Sequence, residues 1–170
     1  MELLVIVDMQ RDFIDGALGT KEAVAILSYV ENAIKSHKGK VLFTRDTHDA
    51  AYLETQEGNK LPVPHCIRNT EGWQIHPSLA PLVRSDPIDK ETFGSVKLGR
   101  MVADMTDVSA VTLMGLCTDI CVISNAMLIK AFCPELPVRV DARGCAGVTP
   151  ESHERALDAM ATCQIEIIGR

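Results

Sequence analysis

The stretch AVTLMGLCTDICVISNAMLIKAF, residues 110–132, determines the fold class of this chain. Its first seven residues form a continuous apolar run, which predicts a strand that is buried on both faces. Residues 119–132 then carry the composition of a buried helix. A strand that is apolar throughout and is followed by a helix is typical of a parallel sheet covered on both faces by helices.

The same alternation of strands and helices extends over the rest of the chain. Further strands are predicted at residues 3–7, 41–46, 87–90, 138–140 and 164–168. Further helices are predicted at residues 23–37 and 95–104, and a last one opens with Thr149 as N-cap and Pro150 as the first helical residue. We therefore predict an α/β three-layer sandwich with a roughly six-stranded parallel sheet, formed as a single domain over residues 1–170.

Composition excludes several classes of protein. The chain of 170 residues is 46% hydrophobic and 24% charged, as in an ordinary soluble globular protein. Its formal net charge of -6 argues against nucleic acid as a partner. No stretch is apolar for long enough to span a bilayer, so we expect no membrane partner. The first residues lack a secretory signal, and the six cysteines are irregularly spaced, so we expect reduced thiols in the cytoplasm.

Reactive side chains follow the ends of four predicted strands. Asp8 ends the first, Asp46 the second and Lys90 the third, and Cys117 to Cys121 follow the fourth. Ligands bind outside the carboxyl ends of parallel strands, so these groups are expected to converge. We expect the helix N-terminus and a lysine to lower the pKa of Cys121, and an aspartate to accept its proton. The alternative is a buried structural cysteine, as we expect for Cys133 and Cys163.

Residues 47–77 form a long segment with little periodicity, which predicts an ordered functional loop. Asp46 directly precedes it, and His48, two residues further on, and His65 lie within it. Two imidazoles and one carboxylate suit zinc, iron or manganese, although ordinary surface histidines are the alternative. Glu54 or Glu57 could supply a fourth ligand. The other histidines are interpreted as surface or capping residues: His37, His76 and His153.

Other uses of a parallel sheet lack their signatures here. An aspartyl-phosphate phosphatase would carry a second Asp at position 10, which is Gln10. A dinucleotide-binding domain would carry a glycine-rich turn after its first strand, and residues 9–12 contain no glycine. No P-loop sequence is present.

Taken together and in order, the motifs resemble those of the isochorismatase-like cysteine hydrolases, and within them the nicotinamidase (pyrazinamidase) branch. The matching segments span nearly the whole chain and are residues 7–13, 45–48, 64–66, 72–77, 89–95, 115–122 and 141–142.

The resemblance implies a role for each residue at the strand ends. Cys121 would be the nucleophile that attacks an amide carbonyl and forms a thioester acyl-enzyme. Asp8 would be the general base, and Lys90 would hold both charges in place. The backbone N–H groups of Cys117 and Cys121 would form the oxyanion hole, with a non-prolyl cis peptide bond before Cys117. The thiol argues against true isochorismate hydrolysis.

The resemblance also implies a metal and a substrate. Asp46, His48 and His65 match the metal ligands of nicotinamidases, where the ion docks a pyridine nitrogen, and Phe13 would form one wall of the ring pocket. We expect a divalent metal, most simply zinc, with iron or manganese as alternatives, and a small-molecule amide substrate. Since relatives are often oligomers, we expect a homo-oligomer.

One position departs from the branch. Nicotinamidases commonly carry a tryptophan three residues before the second metal histidine, and this chain has Pro62 there. Tyr52 or Phe93 would have to replace that aromatic wall. Two other functions therefore stay open, namely hydrolysis of a ureido or carbamoyl substrate and a non-catalytic metal-binding or thiol redox domain.

Overall fold

The computed structural model describes residues 1–170. Six strands form one sheet in the order β3-β2-β1-β4-β5-β6, and every pair of neighbours is parallel. The strands are β1 Glu2–Val7, β2 Lys40–Asp46, β3 Ile88–Lys90, β4 Ala110–Leu116, β5 Val138–Ala146 and β6 Glu166–Ile168. The predicted six-stranded parallel sheet is therefore confirmed.

Seven α-helices connect the strands, and none of them is long and apolar enough to cross a membrane. The helices are α1 Arg11–Ile14, α2 Lys21–Ala25, α3 Leu27–Ser36, α4 Gln56–Lys60, α5 Val96–Ala103, α6 Ile123–Phe132 and α7 Pro150–Thr162.

Two predicted helices differ in detail. The helix predicted over residues 23–37 is two helices, because Thr20 caps α2 early and the chain turns at Ile26, whose side chain packs into the core. The helix predicted from residue 119 begins as a π-helical turn, Thr118–Val122, before α6. The cap of α7 is as predicted, since the Thr149 hydroxyl accepts the Ser152 N–H at 3.1 Å.

Each face of the sheet has its own core, which explains why β1 is apolar at every position after Glu2. Leu3, Val5 and Val7 face the helices α5, α6 and α7, while Leu4 and Ile6 face α1, α2 and α3. Each of these five side chains is at most 2% exposed. Full burial of such a side chain contributes roughly 1.5–3 kcal/mol, so this strand anchors both layers.

The direction of strand order reverses between β1 and β4, and this places the crevice of the sheet. β2 and β3 lie on one side of β1, while β4, β5 and β6 lie on the other. At Gly115 φ is 130°, and an added Cβ would lie 2.0 Å from the Val7 carbonyl oxygen. Only glycine fits there, so the two strands can approach closely just before their polar ends. Ligands of open α/β sheets bind at such a reversal.

The segment at residues 47–77 is ordered through backbone pairing and through Trp73. The His48 N–H donates to the Cys66 carbonyl at 3.0 Å, and the Trp73 indole donates to the Thr47 hydroxyl at 2.9 Å. Within the segment lie a 3₁₀ turn, Tyr52–Glu54, and helix α4. The loop is ordered, as predicted, and follows directly on the carboxyl end of β2.

Candidate active site

Asp8, Lys90 and Cys121 meet in the crevice between β1 and β4. The Lys90 ammonium lies 2.6 Å from Asp8 Oδ2 and 3.4 Å from Cys121 Sγ. All three residues are at most 4% exposed. Asp8 has a φ of 47°, so β1 ends in a turn exactly where its carboxylate is presented. The structure therefore brings together the carboxylate, the ammonium and the thiol that the strand ends predict.

The three groups influence one another's protonation. Burial raises the pKa of Asp8 above its usual range, although Lys90 acts against this. Burial alone would lower the pKa of Lys90, but the charges of Asp8, Cys121 and Asp46 raise it well above its usual range. A buried charge needs a partner, and here two carboxylates share one ammonium.

The expectation that the pKa of Cys121 is lowered is wrong for this site without substrate. Burial raises its pKa, and the negative charge of Asp8 raises it further, while Lys90 opposes both. Full burial and two nearby carboxylates outweigh one ammonium and a helix N-terminus. The thiol therefore keeps its proton in the free site, next to a carboxylate that can accept it.

Two buried polar residues that hold this cluster were missed from sequence. The Thr44 hydroxyl donates to Asp8 Oδ1 at 2.6 Å from the neighbouring strand β2. Asn125 on α6 donates to the Cys121 carbonyl at 2.8 Å and accepts the Ser95 N–H at 2.9 Å. It thereby joins the turn that carries Cys121 to the loop after Lys90. A polar residue inside an otherwise apolar helix is the signal that marks Asn125 in the sequence.

The turn that carries Cys121 begins at Cys117. The peptide bond between Leu116 and Cys117 is cis, as the resemblance implies. The Cys117 carbonyl accepts the N–H groups of Ile120 and Val122, both at 3.1 Å, which closes the turn around Cys121. His153 is not simply a surface residue, since its Nδ1 lies 2.7 Å from the Thr118 hydroxyl and ties α7 to this turn.

A second cluster lies beside the first, where four potential ligand atoms converge. His48 Nε2 lies 2.8 Å and His65 Nε2 lies 3.6 Å from Asp46 Oδ2. Glu57 Oε1 lies 3.6 Å from His48 Nε2 and 3.7 Å from His65 Nε2. Of the two glutamates considered from sequence, Glu57 faces the cluster, whereas Glu54 is exposed.

The geometry of the second cluster fits a divalent metal. His48 Nε2 is buried and forms no well-directed hydrogen bond, although it lies 2.8 Å from Asp46 Oδ2. His65 Nδ1 contacts the Val63 carbonyl at 2.8 Å, so that nitrogen carries the proton and Nε2 is left as a ligand. Two imidazole nitrogens and a carboxylate oxygen, all lying within 4.8 Å of one another, are the donor set that zinc prefers.

Asp46 belongs to both clusters. Its Oδ2 faces the histidines, while its Oδ1 lies 3.2 Å from the Lys90 ammonium. Gln10 fixes the backbone of Asp46, since its side chain both accepts the Asp46 N–H at 2.7 Å and donates to the Asp46 carbonyl at 2.8 Å. The sequence did not predict this structural role of Gln10.

One cavity of about 590 Å³ opens onto both clusters. Phe13 lines it, with its ring centroid 5.5 Å from that of His65. Of the two aromatic replacements considered for the missing tryptophan, Phe93 lines the cavity, whereas Tyr52 lies outside it. Tyr52 is 1% exposed, packs against both histidine rings and donates its hydroxyl to the Leu61 carbonyl at 2.9 Å. Pro62 does not line the cavity.

Comparison of the sequence with known proteins gives one family over the whole chain. Residues 2–170 match the model of the isochorismatase domain. The nicotinamidase/pyrazinamidase of Mycobacterium tuberculosis is 28% identical over 187 residues, a match that covers 99% of this chain and 98% of that protein.

Solved structures give the same fold. The pyrazinamidase/nicotinamidase of Streptococcus mutans superposes with a TM-score of 0.86 at 26% identity, covering 99% of this chain and 100% of that one. A pyrazinamidase of Pyrococcus horikoshii, solved in complex with zinc, superposes with a TM-score of 0.80 at 26% identity, covering 99% of each chain.

Proposed function

Since the chain belongs to the isochorismatase domain family, we propose that it is a metal-containing cysteine amidohydrolase acting on nicotinamide or a similar small amide. The observation that carries the proposal is the position of the Lys90 ammonium, which contacts Asp8, Asp46 and Cys121 at once. The similarity to nicotinamidases over nearly the full length of both chains supports the same reaction class.

In the first half of the proposed reaction, Cys121 Sγ attacks the amide carbonyl carbon while the thiol proton passes to Asp8. The raised pKa of Asp8 makes it a stronger base than an exposed aspartate, so it is matched to this transfer. Lys90 stays charged and holds the carboxylate and the sulfur in place. The N–H groups of Cys117 and Cys121 would donate to the oxygen anion, and each donor of this kind contributes about 3 kcal/mol.

In the second half, Asp8 gives its proton to the leaving nitrogen, ammonia departs, and the acyl group remains on Cys121 as a thioester. Water then attacks the thioester carbonyl, with Asp8 taking one proton from it, and the acid is released as the thiol regains a proton. Asp8 thus acts alternately as base and acid, the usual requirement of two-step acyl transfer.

The metal would be held by Asp46, His48 and His65, with Glu57 as a fourth protein ligand. A divalent ion bound there would supply a docking point for a ring nitrogen of the substrate. The donor set suits zinc, iron or manganese, and we propose zinc because a zinc complex is known for a similar pyrazinamidase. Asp46 would bind the metal through one carboxylate oxygen and the catalytic Lys90 through the other, so it would link the two sites.

The cavity walls can accommodate a small planar ring, but they do not restrict the enzyme to one substrate. Phe13 supplies one aromatic wall, and Phe93 and Leu61, which are 45% and 38% exposed, also line the cavity. Neither of these two side chains is buried, so this part of the wall leaves room. A larger or non-aromatic amide is therefore also accommodated, and a ureido or carbamoyl compound is the second candidate substrate class.

A non-catalytic metal-binding or redox role has less support. Against a non-catalytic role, Cys121 lines a cavity and lies beside a carboxylate and an ammonium. Against a redox role, all six cysteines are free, so no disulfide is formed. Six free thiols suit the reducing cytoplasm, which is where we place the enzyme.

Ammonia release by the purified protein tests the proposal. We expect release from nicotinamide that is lost after chelation and restored by zinc. Release from ureido compounds but not from nicotinamide, with metal present, would instead establish the second substrate class. No release from any amide or ureido compound by the zinc-loaded protein would contradict an amidohydrolase.

A further inference from the structure

Asp12, in the first turn of α1, carries a charge that the proposed reaction does not use. Both of its carboxylate oxygens accept backbone N–H groups. Oδ2 accepts that of Cys66 at 2.7 Å, and Oδ1 accepts that of Ala17 at 3.3 Å. The Asp12 N–H in turn donates to the Gly72 carbonyl at 3.0 Å. Asp12 therefore joins α1 to two separate points of the segment at residues 47–77.

Cys66 is held in an unusual backbone conformation directly after a proposed metal ligand, His65. Its φ of 47° lies in the left-handed region, which a residue other than glycine keeps only when its surroundings fix it. Cys66 is 0% exposed, and its N–H donates to no group other than the Asp12 carboxylate. A hydrogen bond to a charged acceptor is stronger than one to a neutral acceptor. The Asp12 carboxylate is thus well placed to keep Cys66 in this conformation.

The backbone after His65 also pairs with the other metal histidine. The Cys66 carbonyl accepts the His48 N–H at 3.0 Å, and the His48 carbonyl accepts the Arg68 N–H at 2.8 Å. Cys66 is therefore bonded on one side to Asp12 and on the other to His48. Since the Nε2 atoms of both histidines must face one ion, a change of conformation at Cys66 would disturb the position of both ligands.

Gly72 leaves the space that the Asp12 carboxylate occupies. A Cβ added at Gly72 would lie 2.1 Å from Asp12 Oδ2 and 2.3 Å from Oδ1. Atoms that are not bonded to one another do not approach so closely, so a side chain at residue 72 would displace the carboxylate. The backbone of Gly72 is not in the left-handed region, so its conformation alone does not require glycine. Alanine at this position therefore moves the Asp12 carboxylate without removing it.

We propose that Asp12 is a positioning residue for the metal site, since its carboxylate fixes the Cys66 N–H and thereby the direction in which His65 presents Nε2. The inference rests on the proposed metal site of Asp46, His48 and His65. Asp12 neither lines the cavity nor belongs to the converging ligand atoms. It therefore acts through the backbone of the loop and touches neither the metal nor the substrate.

Zinc affinity, measured by competition with a chelator of known affinity, tests this role without an assay of activity. We expect Asp12→Ala to weaken zinc binding about 10- to 100-fold, the usual effect of losing a group that orients a metal ligand. Asp12→Asn keeps an acceptor oxygen but loses the charge, so it should weaken binding less than Asp12→Ala does. Asp15→Ala removes a carboxylate that is 45% exposed just after the same helix, and this control should bind zinc as the wild type does.

Gly72→Ala provides an independent test, because it displaces the carboxylate and leaves its charge in the protein. Alone, it should weaken zinc binding as Asp12→Ala does. The double variant Asp12→Ala/Gly72→Ala should bind zinc no more weakly than Asp12→Ala, because it has no carboxylate left to displace. Additive losses in the double variant would contradict the role given to the carboxylate.

The visible absorption spectrum of bound Co²⁺ separates positioning from a folding defect, because its bands depend on the geometry of the ligands. With cobalt in excess and folding verified by circular dichroism, the spectrum of Asp12→Ala should differ from that of the wild type, and the spectrum of Asp15→Ala should match it. Unchanged zinc affinity and an unchanged spectrum in Asp12→Ala would overturn this inference and leave the amidohydrolase proposal intact. A wild-type chain that binds zinc but releases no ammonia would overturn only the amidohydrolase proposal.

Discussion

At the scale of single residues, Cys121 is the position on which the proposed chemistry depends. Its sulfur lies in contact with the Lys90 ammonium at the base of the cavity. We expect Cys121→Ala to lower the rate of ammonia release about 10⁴-fold or more, because the proposed acyl-enzyme forms on the sulfur that is removed. Cys163→Ala, at an exposed thiol, is the matched control and should keep full activity. Retained turnover in Cys121→Ala would refute the thioester mechanism.

The pKa of Asp8 sets the direction of the pH dependence. Asp8 accepts a proton only as a carboxylate, so kcat/KM should fall as pH is lowered through its pKa. Because burial raises that pKa, the acid limb should lie above the ordinary aspartate value of about 3.9. The limb belongs to the coupled set of Asp8, Lys90 and Cys121 rather than to one residue. Rates measured with zinc in excess check this, and a limb at or below the ordinary value would contradict it.

Glu57 and Glu54 form a natural pair for testing the metal ligands. Glu57 Oε1 lies within 3.7 Å of both histidine nitrogens, whereas Glu54 faces solvent three residues earlier. We expect Glu57→Gln to weaken zinc binding about 10- to 100-fold, and Glu54→Gln to leave it unchanged. Competition for zinc with a chelator of known affinity measures both. Equal affinities in the two variants would remove Glu57 from the ligand set.

At the scale of elements, α6 does more than follow the nucleophile. Its buried Asn125 bonds the Cys121 carbonyl, the Ser95 N–H and the Phe93 carbonyl, so one side chain joins α6 to the loop after β3. Lys90 precedes that loop directly. The relative position of lysine and thiol therefore depends on a contact between two elements that are far apart in sequence.

Replacing Asn125 with leucine tests this link. We expect Asn125→Leu to lower the free energy of unfolding by about 3 kcal/mol, because two buried groups and one part-buried carbonyl lose their partner. The rate per folded molecule should fall as well, since the loop after Lys90 is no longer fixed. Ser124→Ala removes only the neighbouring bond to the Ile120 carbonyl and serves as the control. If stability fell but the rate per folded molecule did not, Asn125 would be purely structural.

At the scale of the whole molecule, we propose that the chain folds as one domain. Trp73, its only tryptophan, lies in the segment at residues 47–77 and reports on that loop. Far-ultraviolet circular dichroism reports on the helices. We expect both signals to change in one coincident transition in denaturant, because the Trp73 carbonyl accepts a bond from Gln10 and the Thr47 N–H donates to the Lys90 carbonyl of β3. An earlier transition of Trp73 would show that the loop unfolds separately.

The sequence by itself determined the sheet, its six strands and the residues that lie at their carboxyl ends. Buried parallel strands must be apolar throughout, so Asp8, Asp46 and Lys90 were conspicuous where those runs end. The histidines near Asp46 were recognised because their spacing and residue types suit a metal. Both signals depend only on residue type and on spacing along the chain, so one sequence is enough to detect them.

Only the tertiary structure decided which of these residues touch and how they are charged. The choice of Glu57 over Glu54 depends on how α4 packs, and the raised pKa of Cys121 depends on complete burial beside two carboxylates. Thr44, Gln10 and Asn125 each act through contacts with residues far away in sequence. Hydrogen bonds and desolvation depend on distances of a few ångströms, and those distances are set by the packing of elements rather than by residue spacing.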